Sequence, residues 1–207
     1  MPSTVIAISR TLGAGGEDLG HALAKELGFR YVDSEIIDRA AALAGATTDE
    51  VARVEARKGL LARILDNLAK SSAGTIAAGG LPEPMAVLDA TPNYEGLIID
   101  VIKETAAAGS AVIVAHGASI PLAGTPGVLR VLVTATRDIR IARVAKEGHT
   151  TVESTKIVDD SDKSRADYFR RFYQLEHEGA LNYDIVINTD HVAVGSAAPA
   201  ILALARA

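Results

Sequence analysis

A glycine-rich segment near the N-terminus carries the clearest chemical signal in the sequence. It follows an apolar run that ends at Ile8, and it reads Ser9-Arg10-Thr11-Leu12-Gly13-Ala14-Gly15-Gly16-Glu17-Asp18. Glycines allow successive backbone N–H groups to converge on one anion, and the N-terminus of a following helix adds positive potential. The segment therefore predicts a phosphate-binding loop between a strand and a helix.

The charges of this segment differ from those of a Walker A loop, G-x-x-x-x-G-K-[ST]. When the two are aligned, Gly16 takes the position of the lysine, and Arg10 remains to supply the missing positive charge. Glu17 and Asp18 stabilise the helix dipole themselves, and they repel a polyphosphate unless Mg²⁺ bridges them. A strand-to-helix turn with an acid-capped helix and no ligand stays open as the alternative.

A second signal is the density of basic residues between 137 and 171, where nine of the 21 Lys and Arg residues lie. Arg140 and Arg143 share one helix face because they are three residues apart. Arg165, with Asp162 one turn before it, is expected to begin another helix. Guanidinium groups can bind the oxygens of a transferring phosphoryl group and stabilise its charge. Seven acids share the stretch, however, so a solvated helix pair with internal ion pairs is the alternative.

The elements that must position these residues alternate along the chain. Short apolar, β-branched runs predict strands at 5–8, 29–32, 112–114, 128–133 and 185–187. Their apolarity is continuous, which indicates strands covered on both faces, as in a parallel sheet. Helical patterns lie between them, so we expect an α/β fold. Three helix starts carry a capping signal: Thr47 with Glu50, Thr136 before Asp138, and Thr150 with Glu153.

Composition narrows the range of functions. The chain has 207 residues, no cysteine and a formal net charge of −5 at pH 7. A domain of this length folds without disulfides, and thiolate chemistry is excluded. The net negative charge speaks against nucleic-acid and membrane partners, and no apolar run approaches the roughly 18 residues of a membrane span. With no targeting segment visible, we expect a cytoplasmic protein.

Two other kinds of site find little support in the sequence. The stretch from His116 to Pro121 follows a predicted strand, but the serine-hydrolase elbow needs G-x-S-x-G, and Pro121 takes the place of the last glycine. The five histidines show none of the spacings of a zinc site. Neither hydrolase nor zinc chemistry is therefore expected.

Six motifs in order resemble the cytidylate-kinase-like family, a branch of the P-loop nucleoside monophosphate kinases. The motifs are the glycine loop, Tyr31-Val32-Asp33-Ser34-Glu35-Ile36-Ile37, Val114-Ala115-His116-Gly117, Thr134-Ala135 with Asp138-x-Arg140-Ile141-x-Arg143, Asp162-x-x-Arg165-x-x-Tyr168, and Tyr183-Asp184-Ile185-Val186-Ile187-Asn188-Thr189. The resemblance implies a three-layer α/β fold with a parallel sheet of about five strands, a helical insertion and a helical lid. It divides a single domain, 1–207, into a core (1–46, 94–136 and 180–207), an acceptor-side insertion (47–93) and a lid region (137–179).

The resemblance also implies roles for individual residues. ATP would be the co-substrate and Mg²⁺ the cofactor, with a nucleoside monophosphate or similar small molecule as acceptor. The phosphate loop would be formed by Ser9, Arg10, Gly13, Ala14, Gly15, Gly16, Glu17 and Asp18, with Asp18 where these kinases place a Mg²⁺-coordinating hydroxyl. On the acceptor side would lie Asp33, Arg39 and His116, and near the donor base Asn188 and Thr189. The catalytic residues of the lid would be Arg140, Arg143, Asp162 and Arg165.

This chain departs from the family pattern at two places where positive charge is usual. Glu17 stands in place of a basic residue, and Ala115-His116 stands in place of a Gly-Arg pair. A histidine does not replace an arginine fork, and each lost contact costs about 2–4 kcal/mol of transition-state stabilisation. Two functions therefore stay open: a phosphotransferase, and a kinase-fold protein that binds nucleotide or a partner without turnover. The oligomeric state is not readable from the sequence.

Overall fold

The computed structural model describes residues 2–49, 94–114 and 117–207 of the chain. In chain order, its strands and helices are β1 (Val5–Arg10), α1 (Gly16–Leu27), β2 (Arg30–Val32), α2 (Glu35–Ala44), α3 (Tyr94–Ala108), β3 (Ala111–Ile113), β4 (Val128–Thr134), α4 (Arg137–Ala145), α5 (Thr151–Tyr173), β5 (Ile185–Asn188) and α6 (Val194–Arg206). A 3₁₀ turn, Ala180–Asn182, precedes β5. The strands fall at the five predicted places, close to the expected ends.

All five strands form one parallel sheet in the order β2-β3-β1-β4-β5. β1 lies at the centre, where Ile6 is in register with Val112 of β3 and with Leu129 of β4. Val5, Ile6 and Ala7 are completely buried. Because successive side chains of a strand point to opposite faces, both faces of β1 are covered. The predicted α/β fold with a parallel sheet of about five strands is confirmed.

The chain divides into two compact units, one formed by Met1–Ile36 with Ile99–Ala207 and the other by Ile37–Ile98. The first contains the whole sheet and the helices α1, α4, α5 and α6. Most of the second lies outside the described residues, as does most of the expected insertion 47–93, including Glu50 of its capping signal. The division into core, insertion and lid stays a prediction.

Two helix starts can be compared with their sequence signals. The capping box before α5 is confirmed, because Thr150 Oγ1 accepts from the Glu153 N–H at 3.3 Å and the Thr150 N–H donates to Glu153 Oε2 at 2.8 Å. Hydrogen bonds from Thr150 also lower the pKa of Glu153. α4 begins where expected, but the Thr136 side chain makes no capping bond. The Thr136 N–H donates instead to Asp190 Oδ1 at 2.7 Å, so a residue beyond β5 supports this helix start.

The prediction that a separate helix begins near Asp162 and Arg165 is wrong, because both residues lie inside the continuous helix α5. Residues 151–173 contain neither glycine nor proline, so nothing interrupts the helical hydrogen bonds. The helix ends only before Gln174, whose φ of 52° places it in the left-handed region.

α1 is held against the sheet by a close contact at Gly20. A Cβ atom at this position would lie 2.7 Å from Val114 Cγ2 and 3.0 Å from Tyr31 Cε2, closer than side chains normally pack. Leu19 and Leu23 on the same helix are completely buried. The missing side chain at Gly20 therefore lets the helix that follows the glycine loop approach β2 and the end of β3.

We expect Gly20→Ala to lower the free energy of unfolding by about 1–3 kcal/mol, because the new methyl group overpacks a buried contact. Gly195→Ala is the matched control, since Gly195 lies near the start of α6 and a Cβ there would meet no atom within 4 Å. The control is expected to be neutral or stabilising by up to about 1 kcal/mol. Urea denaturation measures both. Equal stability of the two variants would contradict the close contact at Gly20.

Candidate phosphate-binding site

The glycine loop joins β1 to α1 in the backbone shape that its glycines permit. Gly13 and Gly15 have φ values of 79° and 83°, in the left-handed region that favours glycine. Gly15 is the N-cap residue of α1, and it offers no side-chain hydrogen bond to the helix start. The first N–H groups of a helix have no partner within it, so an anion is a suitable partner for them.

α4 lies directly against this loop. A Cβ atom on Gly13 would lie 2.9 Å from the carbonyl oxygen of Arg140, and a Cβ atom on Gly16 would lie 2.6 Å from Cβ of Arg10. These glycines therefore serve close packing as well as backbone conformation. Leu12 of the loop packs on the small apolar cluster of α4 and α5, which is formed by Ile141, Val144 and Val158.

Three successive carbonyl oxygens of the loop each accept a hydrogen bond from a side chain. The bonds run from Arg140 Nη1 to Leu12 O (3.3 Å), from Arg143 Nη1 to Gly13 O (3.1 Å) and from Thr189 Oγ1 to Ala14 O (2.9 Å). Because a trans peptide directs its C=O and its N–H to opposite sides, these bonds turn the N–H groups of Gly13 and Gly15 away from the side chains that hold the loop. The loop therefore presents amides on its other side, as phosphate oxygens require.

Arg140 is almost completely buried, with 5% of its surface exposed, and every nitrogen of its guanidinium donates a hydrogen bond. Nη1 and Nη2 donate to the two carboxylate oxygens of Asp162 at 2.8 and 2.6 Å, and Nε donates to Ala135 O at 3.1 Å. Asp162 thereby balances a buried charge that would be costly if left alone. The structure brings two of the predicted catalytic residues together, as partners of one another.

Arg143 joins the loop to the end of β5. Beside its bond to the loop, its guanidinium donates to Thr189 Oγ1 at 2.8 Å and to Thr189 O at 2.6 Å. Thr189 is buried, with 2% of its surface exposed. Contact of Arg143 with a transferring phosphoryl group, and of Asn188 and Thr189 with a donor base, stays a prediction.

Arg165, the third predicted lid arginine, lies at β1. Its Nη2 donates to Ser9 Oγ at 2.8 Å, and its Nε and Nη2 donate to the two carboxylate oxygens of Glu178 at 2.8 and 2.6 Å. Its guanidinium carbon lies 4.7 Å from the centre of the Phe169 ring. Tyr183 OH also donates to Glu178. A predicted loop residue, Ser9, and a predicted lid residue, Arg165, are therefore in direct contact.

A cavity of about 290 Å³ lies between the glycine loop and α5. Thr11 lines it from the loop, and Phe169 and Leu175 supply apolar surface. Its charged and polar lining consists of Arg140, Asp162, Arg165, Glu178, Glu176 and His177. Both arginine–carboxylate pairs thus face a space large enough for a small polar group.

The mouth of the loop is acidic. Glu17 forms an ion pair with Arg10, whose Nε lies against Oε1 without the angle of a hydrogen bond. Burial raises the pKa of the nearby Tyr31 hydroxyl, and surrounding carboxylates raise that pKa further. These carboxylates are Asp33, Glu17 and Asp18, with Arg10 acting in the opposite direction. An incoming phosphate would therefore meet negative potential here, and the nearest arginine already has a partner.

Asp18 is the predicted ligand of Mg²⁺, and it lies exposed in the first turn of α1. Mg²⁺ in phosphate sites takes one or two carboxylates and completes its shell with phosphate oxygens and water. A single carboxylate at the end of a phosphate loop, such as that of Asp18, fits this coordination preference. Among the described residues, no three Asp, Glu or His side chains gather into a metal site. The ion would therefore depend on the phosphates of a ligand.

The three predicted acceptor residues are described to different extents. Asp33 follows β2 and is half-buried. Arg39 lies on α2, in the second compact unit. His116 lies outside the described residues. Their role toward an acceptor stays a prediction.

Glu178 is a site residue that the sequence motifs do not reveal. It lies between α5 and the 3₁₀ turn, and no spacing distinguishes it from the neighbouring Glu176. The sequence indicates it only indirectly: an arginine placed next to the loop, such as Arg165, needs an acidic partner nearby. The choice between the two glutamates requires the tertiary structure.

The order of the parallel sheet, the glycine loop from β1 into α1 and the arginines around this loop define a protein of the P-loop kinase-like class. An uncharacterized protein from Eubacterium ventriosum ATCC 27560 is 19% identical, with a TM-score of 0.66 and 97% of each chain covered. Shikimate kinase from Acinetobacter baumannii, in complex with shikimate, is 15% identical, with a TM-score of 0.52 over 99% of this chain and 92% of the other. A gluconokinase from Sinorhizobium meliloti 1021 is 13% identical, with a TM-score of 0.52 over 99% and 91%. These likenesses concern the fold.

Within this class, the chain belongs to the Cytidylate kinase-like family, whose sequence profile matches residues 5–191. The resemblance expected from the six motifs is thereby confirmed. Among curated proteins, none matches this chain. In the part of the chain that the structure describes, no helix is both long and apolar enough to cross a membrane.

We expect Thr189→Val to lower the free energy of unfolding by about 1–3 kcal/mol, because Ala14 O and an Arg143 N–H lose their buried partner. Thr155→Val is the control, since the exposed Thr155 hydroxyl donates only within α5, to Thr151 O at 2.8 Å. Its loss is expected to cost about 0.5 kcal/mol or less. Chemical denaturation measures both variants. A loss at Thr189 no larger than that at Thr155 would mean that the Thr189 hydroxyl does not hold the loop.

Proposed function

We propose that this protein is a cytoplasmic phosphotransferase that binds ATP with Mg²⁺ and transfers a phosphoryl group to a small acceptor such as a nucleoside monophosphate. The observation that carries this proposal is the glycine loop, in which side chains hold the carbonyl oxygens of Leu12, Gly13 and Ala14 and the N–H groups of Gly13 and Gly15 are left for phosphate oxygens. Membership of the Cytidylate kinase-like family supports it. Its partners are then small molecules, with no nucleic acid and no membrane.

The phosphates of ATP would lie across the loop. The N–H groups of Gly13 and Gly15, with those of the first turn of α1, donate to phosphate oxygens in the field of the helix N-terminus. Asp18 would hold Mg²⁺ together with those oxygens and water, and the ion supplies positive charge to the phosphates. Arg10 takes the part of the missing Walker lysine once its ion pair with Glu17 opens.

The lid arginines have different tasks in this proposal. Arg140 and Arg143 hold the loop in shape, because each donates to a carbonyl oxygen of the loop and also to Asp162 or Thr189. Arg165 reaches Ser9 at β1 and is the lid arginine assigned to the transferring phosphoryl group. Phosphoryl transfer depends mainly on such positioning and charge stabilisation. The proposed acceptor-binding residues are Asp33, Arg39 and His116.

A second function has its own supporting observation, namely that the protein binds a nucleotide without turning it over. Arg10 lies on Glu17, and each lid arginine is engaged by oxygen atoms of the chain itself. The donor groups that hold these partners must release them before they can bind phosphate oxygens. Loss of one transition-state contact costs about 10²–10³ in rate, so arginines that stay engaged would leave binding without catalysis.

Binding and turnover measured on the same purified protein separate the two functions. Isothermal titration calorimetry gives the affinity for ATP with and without Mg²⁺, and an ADP-release assay gives turnover with cytidine, uridine, adenosine and guanosine monophosphates. Shikimate and gluconate are added as acceptors because a shikimate kinase and a gluconokinase share the fold. We expect Mg²⁺-dependent ATP binding and ADP release with a nucleoside monophosphate. Binding without turnover on any acceptor would favour the second function, and no nucleotide binding would contradict both.

We expect Glu17→Gln to tighten ATP binding by about 3- to 10-fold, because it removes a negative charge at the loop and releases Arg10. Glu26→Gln serves as control, since it makes the same charge change on the exposed, far end of α1. Calorimetric titration with ATP and Mg²⁺ compares the two variants with the wild type. The same affinity in all three proteins would place the phosphates away from this loop.

A further inference from the structure

A tight reversal of the chain brings Glu178 to Arg165. α5 ends before Gln174, which has a φ of 52° in the left-handed region, and the chain then reverses its direction. Residues 175–178 then line the cavity beside the glycine loop. We call residues 174–179 the return segment.

The Glu178 carboxylate is surrounded by hydrogen-bond donors. Arg165 binds both of its oxygens, at 2.8 and 2.6 Å, and only 19% and 17% of the two side chains are exposed. Ser9 Oγ donates to Glu178 Oε1 at 3.5 Å, and Tyr183 OH donates to the same oxygen. One guanidinium and two hydroxyl groups therefore converge on one anionic group.

These donors are not specific to a carboxylate. An arginine fork binds two oxygens of a carboxylate and two oxygens of a phosphate with the same geometry. Ser9 and Thr11 place the group directly at the glycine loop, where the proposed function has the phosphates of ATP. The adjoining cavity of about 290 Å³ has room for the further oxygens of a tetrahedral anion.

We propose that Arg165, Ser9 and Tyr183 form a site for a tetrahedral oxyanion, and that Glu178 is its built-in competitor. A phosphoryl group displaces the Glu178 carboxylate, and the return segment moves with it. The apparent affinity for every anion is reduced by the fraction of molecules in which Glu178 fills the site. Inorganic phosphate is then largely excluded, whereas a nucleoside triphosphate binds because it makes further contacts on the loop. The choice of a phosphoryl group as the ligand rests on the proposed function.

The test compares Glu178→Gln with Glu176→Gln, which removes the same charge from the same segment. The Glu176 side chain is 76% exposed and lies 3.8 Å from Arg170, not at Arg165. In calorimetric titrations with inorganic phosphate, we expect the affinity to rise about tenfold in Glu178→Gln and by no more than about twofold in Glu176→Gln, because Glu176 lines the cavity but does not hold Arg165. Adding Arg165→Gln to Glu178→Gln is expected to abolish the gain. Equal phosphate affinity in the wild type and both single variants would overturn the proposal.

A further variant and a measurement on the wild type guard against misfolding of Glu178→Gln. Glu178→Asp keeps the charge but withdraws the carboxylate by one methylene group, and we expect a gain in phosphate affinity of about threefold. In the wild type, saturating ATP with Mg²⁺, or tripolyphosphate, is expected to speed amide hydrogen exchange in residues 174–182. Ligand binding with unchanged exchange there would overturn the proposal, because Glu178 would have stayed in place.

The result with ATP separates this inference from the proposed function. If Glu178→Gln gains phosphate binding but no variant binds ATP, the oxyanion site stands and the proposed function fails. If ATP binds the wild type, Glu178→Gln and Glu176→Gln with one affinity, the nucleotide binding of the proposed function stands and the competitor role of Glu178 fails.

Discussion

The capture of three successive loop carbonyl oxygens by Arg140, Arg143 and Thr189 is the interaction on which the site depends. A glycine-rich loop has many conformations open to it, and ordering each residue costs about 1–2 kcal/mol of backbone entropy. Hydrogen bonds from α4 and from the end of β5 offset this cost and select one arrangement of the peptide groups. The amides that would meet a phosphate are therefore positioned by arginines that need not touch it. Gly13 is needed for the same packing of the loop against α4, because the backbone of α4 lies too close to leave room for a side chain there.

The two arginine–carboxylate pairs beside the loop differ in their surroundings. Because of this difference, one pair supports the loop, whereas the other can exchange its carboxylate for a ligand. Arg140 is 5% exposed and also bonds to backbone carbonyls, so its pair with Asp162 is part of the framework. Both pairs face the cavity, but Arg165 bonds to side-chain oxygens only, so a ligand can take the place of its carboxylate partner. Opening the Arg140–Asp162 pair would leave the buried Arg140 guanidinium with an uncompensated charge, which costs several kcal/mol. Arg165 can exchange the Glu178 carboxylate for an incoming anion and remain paired.

Hydrophobic pattern and capping signals predicted most of the local structure. The five strands, the capping box of Thr150 with Glu153 and the loop between β1 and α1 are encoded by neighbouring residues, which is why they could be placed. The break expected near Asp162 failed because a charge pattern does not end a helix, and no glycine or proline lies there. Thr136 failed as a side-chain cap because its partner, Asp190, comes from beyond β5.

The sequence by itself determined the class of fold, the place of the glycine loop and the set of arginines that surround it, because these follow from periodicity and from short motifs. Only the tertiary structure decided which oxygen each arginine holds. The partners of Arg143 and Arg165 in β1 and the loop are 130 and 156 residues away in the chain, and Asp162 lies 22 residues from Arg140. Over such distances a charge has many possible counter-charges, and packing of α4 and α5 on the sheet chooses among them. That choice makes two of the arginines supports of the loop and sets the third against Glu178.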